Sequence, residues 1–337
     1  MADSIQLIDQ DYAGEASQYI LLRPVAKADT FEKGAIAIQE TKKEYHYPRL
    51  EITNWIQRDS PTPTSQGSIV IDAAKVFLGR FQIYMEFNPQ DFAMHWYSGQ
   101  LQKEIIDRTL PPTVQSYLVR HLFDKNNLAV DTMIWQSRLA NDPTSSSYVN
   151  PASVGYTNTD VPNYFYFDGL ITQLVNDPNT INLSGYTASA FTSANILNTL
   201  EAAYLAVPIG QLFKYGAMGV KFIMSLRTRQ VLEEAYNITT QFKNENFYRP
   251  GVQLYKGYDM VSIAGFPDNT LIVTIANPDV SSSNTQLAVN STADQGEVKL
   301  QQLQNNSDLY FVKAKMAMAP TWSFTDQAVL ITTITGW

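Results

Sequence analysis

The chain has 337 residues, of which 45% are hydrophobic, 17% charged and 12% aromatic; this balance excludes an intrinsically disordered chain and supplies apolar area for a sizeable core. A formal net charge of -8 excludes a bulk electrostatic grip on nucleic acid, which needs a basic field. Zero cysteines and three histidines exclude disulfides, thiolate metal sites and a Cys nucleophile and argue against a His-rich metal site, and no apolar run is long enough for a transmembrane helix.

The start, Met1 to Asp9, lacks the basic and apolar regions of a secretory signal. The Asn-x-Ser/Thr matches at Asn182, Asn237, Asn290 and Asn305 are therefore read as chance, and production in a cytoplasm is expected. Residues 1–30 read as an extended polar arm bearing Asp3, Asp9, Asp11 and Glu15. Short alternation from Gly34 to Thr41 predicts a strand. After a basic, aromatic stretch from Lys42 to Arg49, Leu50, Ile52, Asn54 and Ile56 lie on one side of an extended chain, with Glu51, Thr53 and Trp55 on the other. Asp59 to Gly67, with Pro61 and Pro63, is a turn-rich tip; strands resume at Ser68–Asp72 and Phe81–Phe87. Residues 34–87 are thus a long β-excursion.

Residues 89–138 predict helix. Pro111-Pro112 sits at a helix start, Val114, Leu118 and Leu122 follow at i,i+4 spacing, and Ala129, Val130, Met133 and Ile134 continue the stripe past the Asn126-Asn127 pair. This is one long helix or two end to end. Residues 141–163 form a loop, followed by an aromatic turn at Asp168-Gly169. Thr192 or Ser193 caps a helix that buries Ile196, Leu200, Ala203 and Tyr204 and ends at Pro208. Val220–Met224 reads as a buried strand. Ser225 caps the next helix, with Val231, Leu232 and Ala235 inside and an Arg229–Glu233 pair outside. Val252–Ile263 and Thr270–Ile275 read as strands around a turn at Gly265–Asn269; 277–307 is a polar stretch; Leu309–Ile334 forms two strands around Pro320. Strands and helices do not alternate regularly, which points to α+β.

No phosphate-binding loop, dinucleotide fingerprint or nucleophile elbow is present. His46, His95 and His121 are scattered; the neighbouring Glu233 and Glu234 diverge by about 100° on a helix; Asp168 and Asp268 suit turns. Two facing carboxylates brought together by folding would still make a glycosidase. The Lys42–Arg49 stretch can be read as a single-strand nucleic-acid stripe, as a solvated hairpin, or as a hairpin docking on a neighbouring subunit. The last ranks first, because the excursion has too little sequence to build its own core, and aromatics and Arg are favoured at such contacts. Tyr45, His46, Tyr47, Arg49 and Trp55 are the candidate inter-subunit contact residues. No catalytic, cofactor-binding or metal residue is singled out.

The order of segments, the string from Tyr255 to Pro278, the Phe167-Asp-Gly-Leu-Ile turn and Val220–Ser225 running into a helix together resemble the major capsid protein of tailed bacteriophages, with its Hong Kong 97-type fold. The resemblance implies an N-terminal arm (1–30), an extended β-hairpin loop (31–88), a peripheral domain with a long spine helix (89–207 and 306–337) and an axial domain (208–305). It implies a non-enzymatic, cofactor-free subunit that self-assembles into hexamers and pentamers of an icosahedral or prolate head around double-stranded DNA, which is adjacent but not specifically bound. The expected partners are other copies, portal, scaffolding and minor or decoration head proteins, with no membrane. The location is the virion shell, assembled in a bacterial cytoplasm, with any scaffold a separate or removed protein. Lys42 and Lys43 lie where the family carries a crosslinking lysine, but no Asn or Glu partner is matched. Rival readings are a tail-tube or sheath protein and a carbohydrate-active enzyme.

Overall fold

The computed structural model describes residues 29–41, 44–53, 56–65, 67–88, 127–139, 166–183, 190–208, 219–238, 254–290, 298–303 and 309–333. Two sheets organise them, and the fold is mixed α+β.

The first sheet is built on the long strand β12 (Tyr310–Trp322). Along one edge it pairs antiparallel with β4 (Gly79–Phe87), from Tyr310↔Phe87 to Met318↔Gly79. Met318 also pairs with Val289 of β10 (Thr285–Val289), so β10 takes the other edge, and β11 (Val298–Gln302) follows β10 along that edge from Ala314 to Tyr310. β1 (Ala37–Glu40) closes the sheet, parallel to β10. Pro320 does not divide this strand as the sequence suggested. It pairs with Leu287, and its carbonyl accepts a hydrogen bond from Gln173 Nε2 at 2.8 Å, so its nitrogen faces the edge that β4 has already left and no ladder bond is lost.

The second sheet runs β5-β13-β9-β6-β8-β7. These strands are β5 (Ile181–Asn182), β6 (Val220–Ser225), β7 (Leu254–Tyr255), β8 (Tyr258–Ile263), β9 (Thr270–Ile275) and β13 (Val329–Thr332). Its central strands are apolar on both sides, and the pleat divides them. Ile223, Val261, Ile263, Ile272 and Leu330 join one core with the first sheet, with the helix over 127–136 (α2) and with α3 (Leu170–Asn176). Phe222, Met224, Leu271, Val273 and Ile331 join a second core under α4 (Ile196–Ala206) and α5 (Leu226–Ile238). Burying each such side chain stabilises by about 1.5–3 kcal/mol. Ser225 Oγ accepts the Thr228 N–H at 3.0 Å, the expected cap of α5.

Several expectations need correcting. Arg229 does pair with Glu233, but it is buried rather than outside. Tyr204 is half-buried, and Thr199 shares the inner face of α4. The strand expected at 252–263 is a hairpin: Lys256 (φ 50) and Gly257 (φ 89) form a two-residue turn in which both φ values are positive, as a type I′ turn demands. α3, β10 and β11 arise where no element was expected. Residues 309–334, expected to close the peripheral domain, contribute to both sheets, because β13 adds Val329 and Ile331 to the core beneath α4 and α5. The helix start at 111–126 and the loop at 141–163 lie outside the described residues.

Short α1 (Asp29–Glu32) is fixed from three sides. Asp131 of α2 accepts from the Thr30 N–H at 3.2 Å and from its hydroxyl, and from the Gly265 N–H at 3.0 Å. Trp135 Nε1 donates to Thr30 Oγ1 at 2.8 Å. Buried Lys221 caps the segment, donating to the carbonyls of Lys33 and Gly34 at 3.1 and 2.8 Å.

Candidate assembly surface

The excursion is a ten-residue antiparallel ladder of β2 (Glu44–Thr53) and β3 (Ser68–Phe77), registered from Glu44↔Phe77 to Thr53↔Ser68. It forms its own two-stranded sheet. Leu78 alone separates β3 from β4. The bend there brings the backbone against the body so closely that a Cβ on Gly79 would lie 2.3 Å from the Tyr166 carbonyl oxygen.

The ladder has two unlike faces. Val76 is buried in the first core, and Arg49, half-buried, donates from Nη1 to the Ser323 carbonyl at 3.3 Å. The residues of opposite parity meet nothing in the chain: Ile71 is 77% exposed, Ile69 69%, Phe77 67% and Leu50 58%. Leu50 pairs directly with Ile71, so these side chains form a contiguous apolar stripe rather than scattered surface residues. Ile56, beyond the end of β2, is also exposed. A hairpin whose only sheet partner is itself is marginal in water, and a patch of this kind marks an interaction site.

Of the residues singled out from sequence, the register places Tyr45 opposite Val76, His46 opposite Lys75, Tyr47 opposite Ala74 and Arg49 opposite Asp72. Trp55 lies outside the described residues. Arg49 is held by its own chain, and it also helps lower the Asp177 carboxyl, which the Asn179 backbone N–H lowers most. The candidates overlooked on the far strand are Ile69, Ile71 and Phe77; the signal for them was the apolar run after the tip, which continues the alternation begun at Leu50 and Ile52.

The ionisable groups elsewhere serve structure. Burial raises the Asp131 carboxyl, against the lowering by its hydrogen bonds. On the second sheet, Glu201 accepts from Tyr255 Oη at 2.9 Å and from Lys256, whose ammonium lies 4.6 Å from the Tyr204 ring centroid. These bonds lower the Glu201 carboxyl, while burial raises the Tyr255 phenol. Among the described residues, no three His, Asp or Glu side chains converge as a metal site. The arrangement can bury apolar area against a partner.

No family model and no curated protein matches the sequence. In three dimensions the chain is similar to the capsid of an empty GTA particle (10% identity, 92% of this chain and 98% of that chain, TM-score 0.56). It is also similar to a structure of Gordonia phage Cozz (9% identity, 97% and 91%, TM-score 0.55) and to the capsid of Myoviridae phage XM1 (10% identity, 95% and 95%, TM-score 0.53). At such low identity the likeness is one of fold, and it runs nearly end to end in both partners.

Proposed function

We propose that this chain is a major capsid protein, the self-assembling, non-enzymatic subunit of a tailed-phage head with a Hong Kong 97-type fold. The observation that carries the reading is the exposed stripe of Leu50, Ile69, Ile71 and Phe77 on a hairpin that has no core of its own. The fold shared with capsid subunits supports it. In this reading 1–30 is the arm and 31–88 the extended loop. The first sheet and α2 belong to the peripheral domain, and the second sheet with α4 and α5 to the axial domain. The loop of one copy lies on the next, a head-to-tail contact that closes into rings of five or six. The shell encloses double-stranded DNA in the virion, beside portal, scaffolding and decoration proteins.

Electron microscopy of the purified protein, over a concentration series, is the test. Polyhedral shells or ring capsomers are expected. Tubes would favour a tail-tube or sheath protein, and a monomer at every concentration would remove the reading.

A further inference from the structure

The outer face of the first sheet carries a charge pattern opposite to that of the molecule. Arg80, Lys299, Lys313 and Lys315 stand together on it. The ladder sets Lys299 directly across from Lys313, Gln82 across from Lys315, and Arg80 across from Ala317. Val312, Ala314, Met316 and Met318 take the opposite, buried face. Like charges directly opposed destabilise a ladder, so an anion brought to this face is stabilising. The cations border a groove of about 1310 Å³ with apolar lining from Phe77, Leu78, Phe311 and Ala317. Phe77 belongs both to this groove and to the hairpin stripe.

We propose that this groove receives the acidic N-terminal segment, residues 1–22, of a second copy of the chain. That segment carries Asp3, Asp9, Asp11 and Glu15 and no Lys or Arg, and it interleaves them with Ile5, Leu7, Ile8 and Tyr12. Carboxylates meet the four cations, and the apolar side chains meet the apolar lining. A nucleic-acid backbone would satisfy the charges but bring nothing for Phe77 and Phe311. The segment joins its own chain at α1, which is bonded to Asp131 and Trp135 of α2 on the helix-bearing side of the sheet. The groove opens on the other side. The 28 residues preceding α1 span up to about 90 Å when extended, which reaches an adjacent subunit. The inference rests on the proposed assembly and adds a second inter-subunit contact to it.

Charge exchange tests it on the full-length chain. One variant carries Lys313→Glu and Lys315→Glu; the other carries Asp9→Lys and Asp11→Lys. Each alone is expected to raise the concentration needed for assembly at least ten-fold. An equimolar mixture is expected to restore it, since each arm then finds a complementary groove on the other variant. Three outcomes overturn the proposal: no effect of either variant; rescue only when all four substitutions share one chain, which places the arm in its own groove; or an unrescued loss accompanied by loss of retained nucleic acid. Should a variant fail to fold, a benzoylphenylalanine photo-crosslinker at position 10, in mixed 14N- and 15N-labelled wild-type background, gives a second reading. Inter-copy crosslinks to 309–317 are expected, and crosslinks elsewhere or only within one copy overturn the proposal. If the wild type forms shells and these tests fail, only this inference falls; if the wild type forms no shell, the assembly reading itself falls.

Discussion

Asp131 is a buried carboxylate without a cationic partner, and its environment explains why it is tolerated. Three donors from two distant segments converge on its oxygens. Replacing it with Ala would leave the Thr30 and Gly265 N–H groups buried and unpaired, at roughly 1–3 kcal/mol each. Asp131→Ala is therefore expected to lower stability by about 3 kcal/mol in urea titration; a loss under 1 kcal/mol would show that water replaces the carboxylate. Tyr236 offers a pH test of the second core. Burial pushes its phenol up to about 12. The fold thus favours the neutral phenol: its contribution is complete below pH 10, the ordinary value, and is lost as pH rises through about 12. Stability should fall over that window, and Tyr236→Phe should flatten the fall. Equal slopes in the two proteins would assign the alkaline loss to other groups.

At the scale of elements, the hairpin shows which parts of the chain are legible in sequence. Its strands, and also β6, α5 and β9, could be read because each carries a local signal: alternation, a continuous apolar run, or a cap such as Ser225. β10 was not legible. Thr285-Gln-Leu-Ala-Val is half polar, yet it is fully buried because Thr285 Oγ1 donates to the Ala35 carbonyl and Gln286 Nε2 donates to Ser323 Oγ. Such partners, 250 and 37 residues away, have no local trace. The candidate surface was half legible. The excursion stood out, but the basic and aromatic residues drew the choice toward Tyr45 and Arg49, while the exposed apolar stripe lies on alternate positions. The stripe makes a prediction separable from folding. Changing Ile69 and Ile71 together to Thr keeps β-branched residues in the ladder, and solvent-facing substitutions shift stability by about 0.5 kcal/mol. Assembly should nevertheless weaken at least ten-fold, about 1.4 kcal/mol, since the apolar methyl groups lost are ones a partner would bury. Sedimentation of shells alongside thermal melts measures both; equal assembly by the variant would remove the stripe from the contact.

For the whole molecule, the central question is whether a chain with two cores behaves as two units. The sequence suggested that it does, with an axial domain inserted at 208–305. The pleat of the second sheet argues otherwise. In β6, Ile223 packs into the first core while Val220, Phe222 and Met224 pack into the second; in β9, Ile272 faces one way while Leu271, Val273 and Ile275 face the other; in β13, Leu330 is set against Val329 and Ile331. Either core can melt only by stripping one face from strands whose other face is still packed, and an exposed sheet face of that size has no compensating contact. Lys221, from the middle of β6, also caps the segment after α1, which is anchored to α2. The described body should therefore unfold in one cooperative transition, with calorimetric and van't Hoff enthalpies in agreement for the dispersed subunit. Near-ultraviolet dichroism, which follows Trp135 and Trp322 in the first core, should report the same midpoint as the fluorescence of a Phe222→Trp reporter in the second. Midpoints separated beyond error would mean that the shared sheet splits along its plane, and that the second core is an independent folding unit after all.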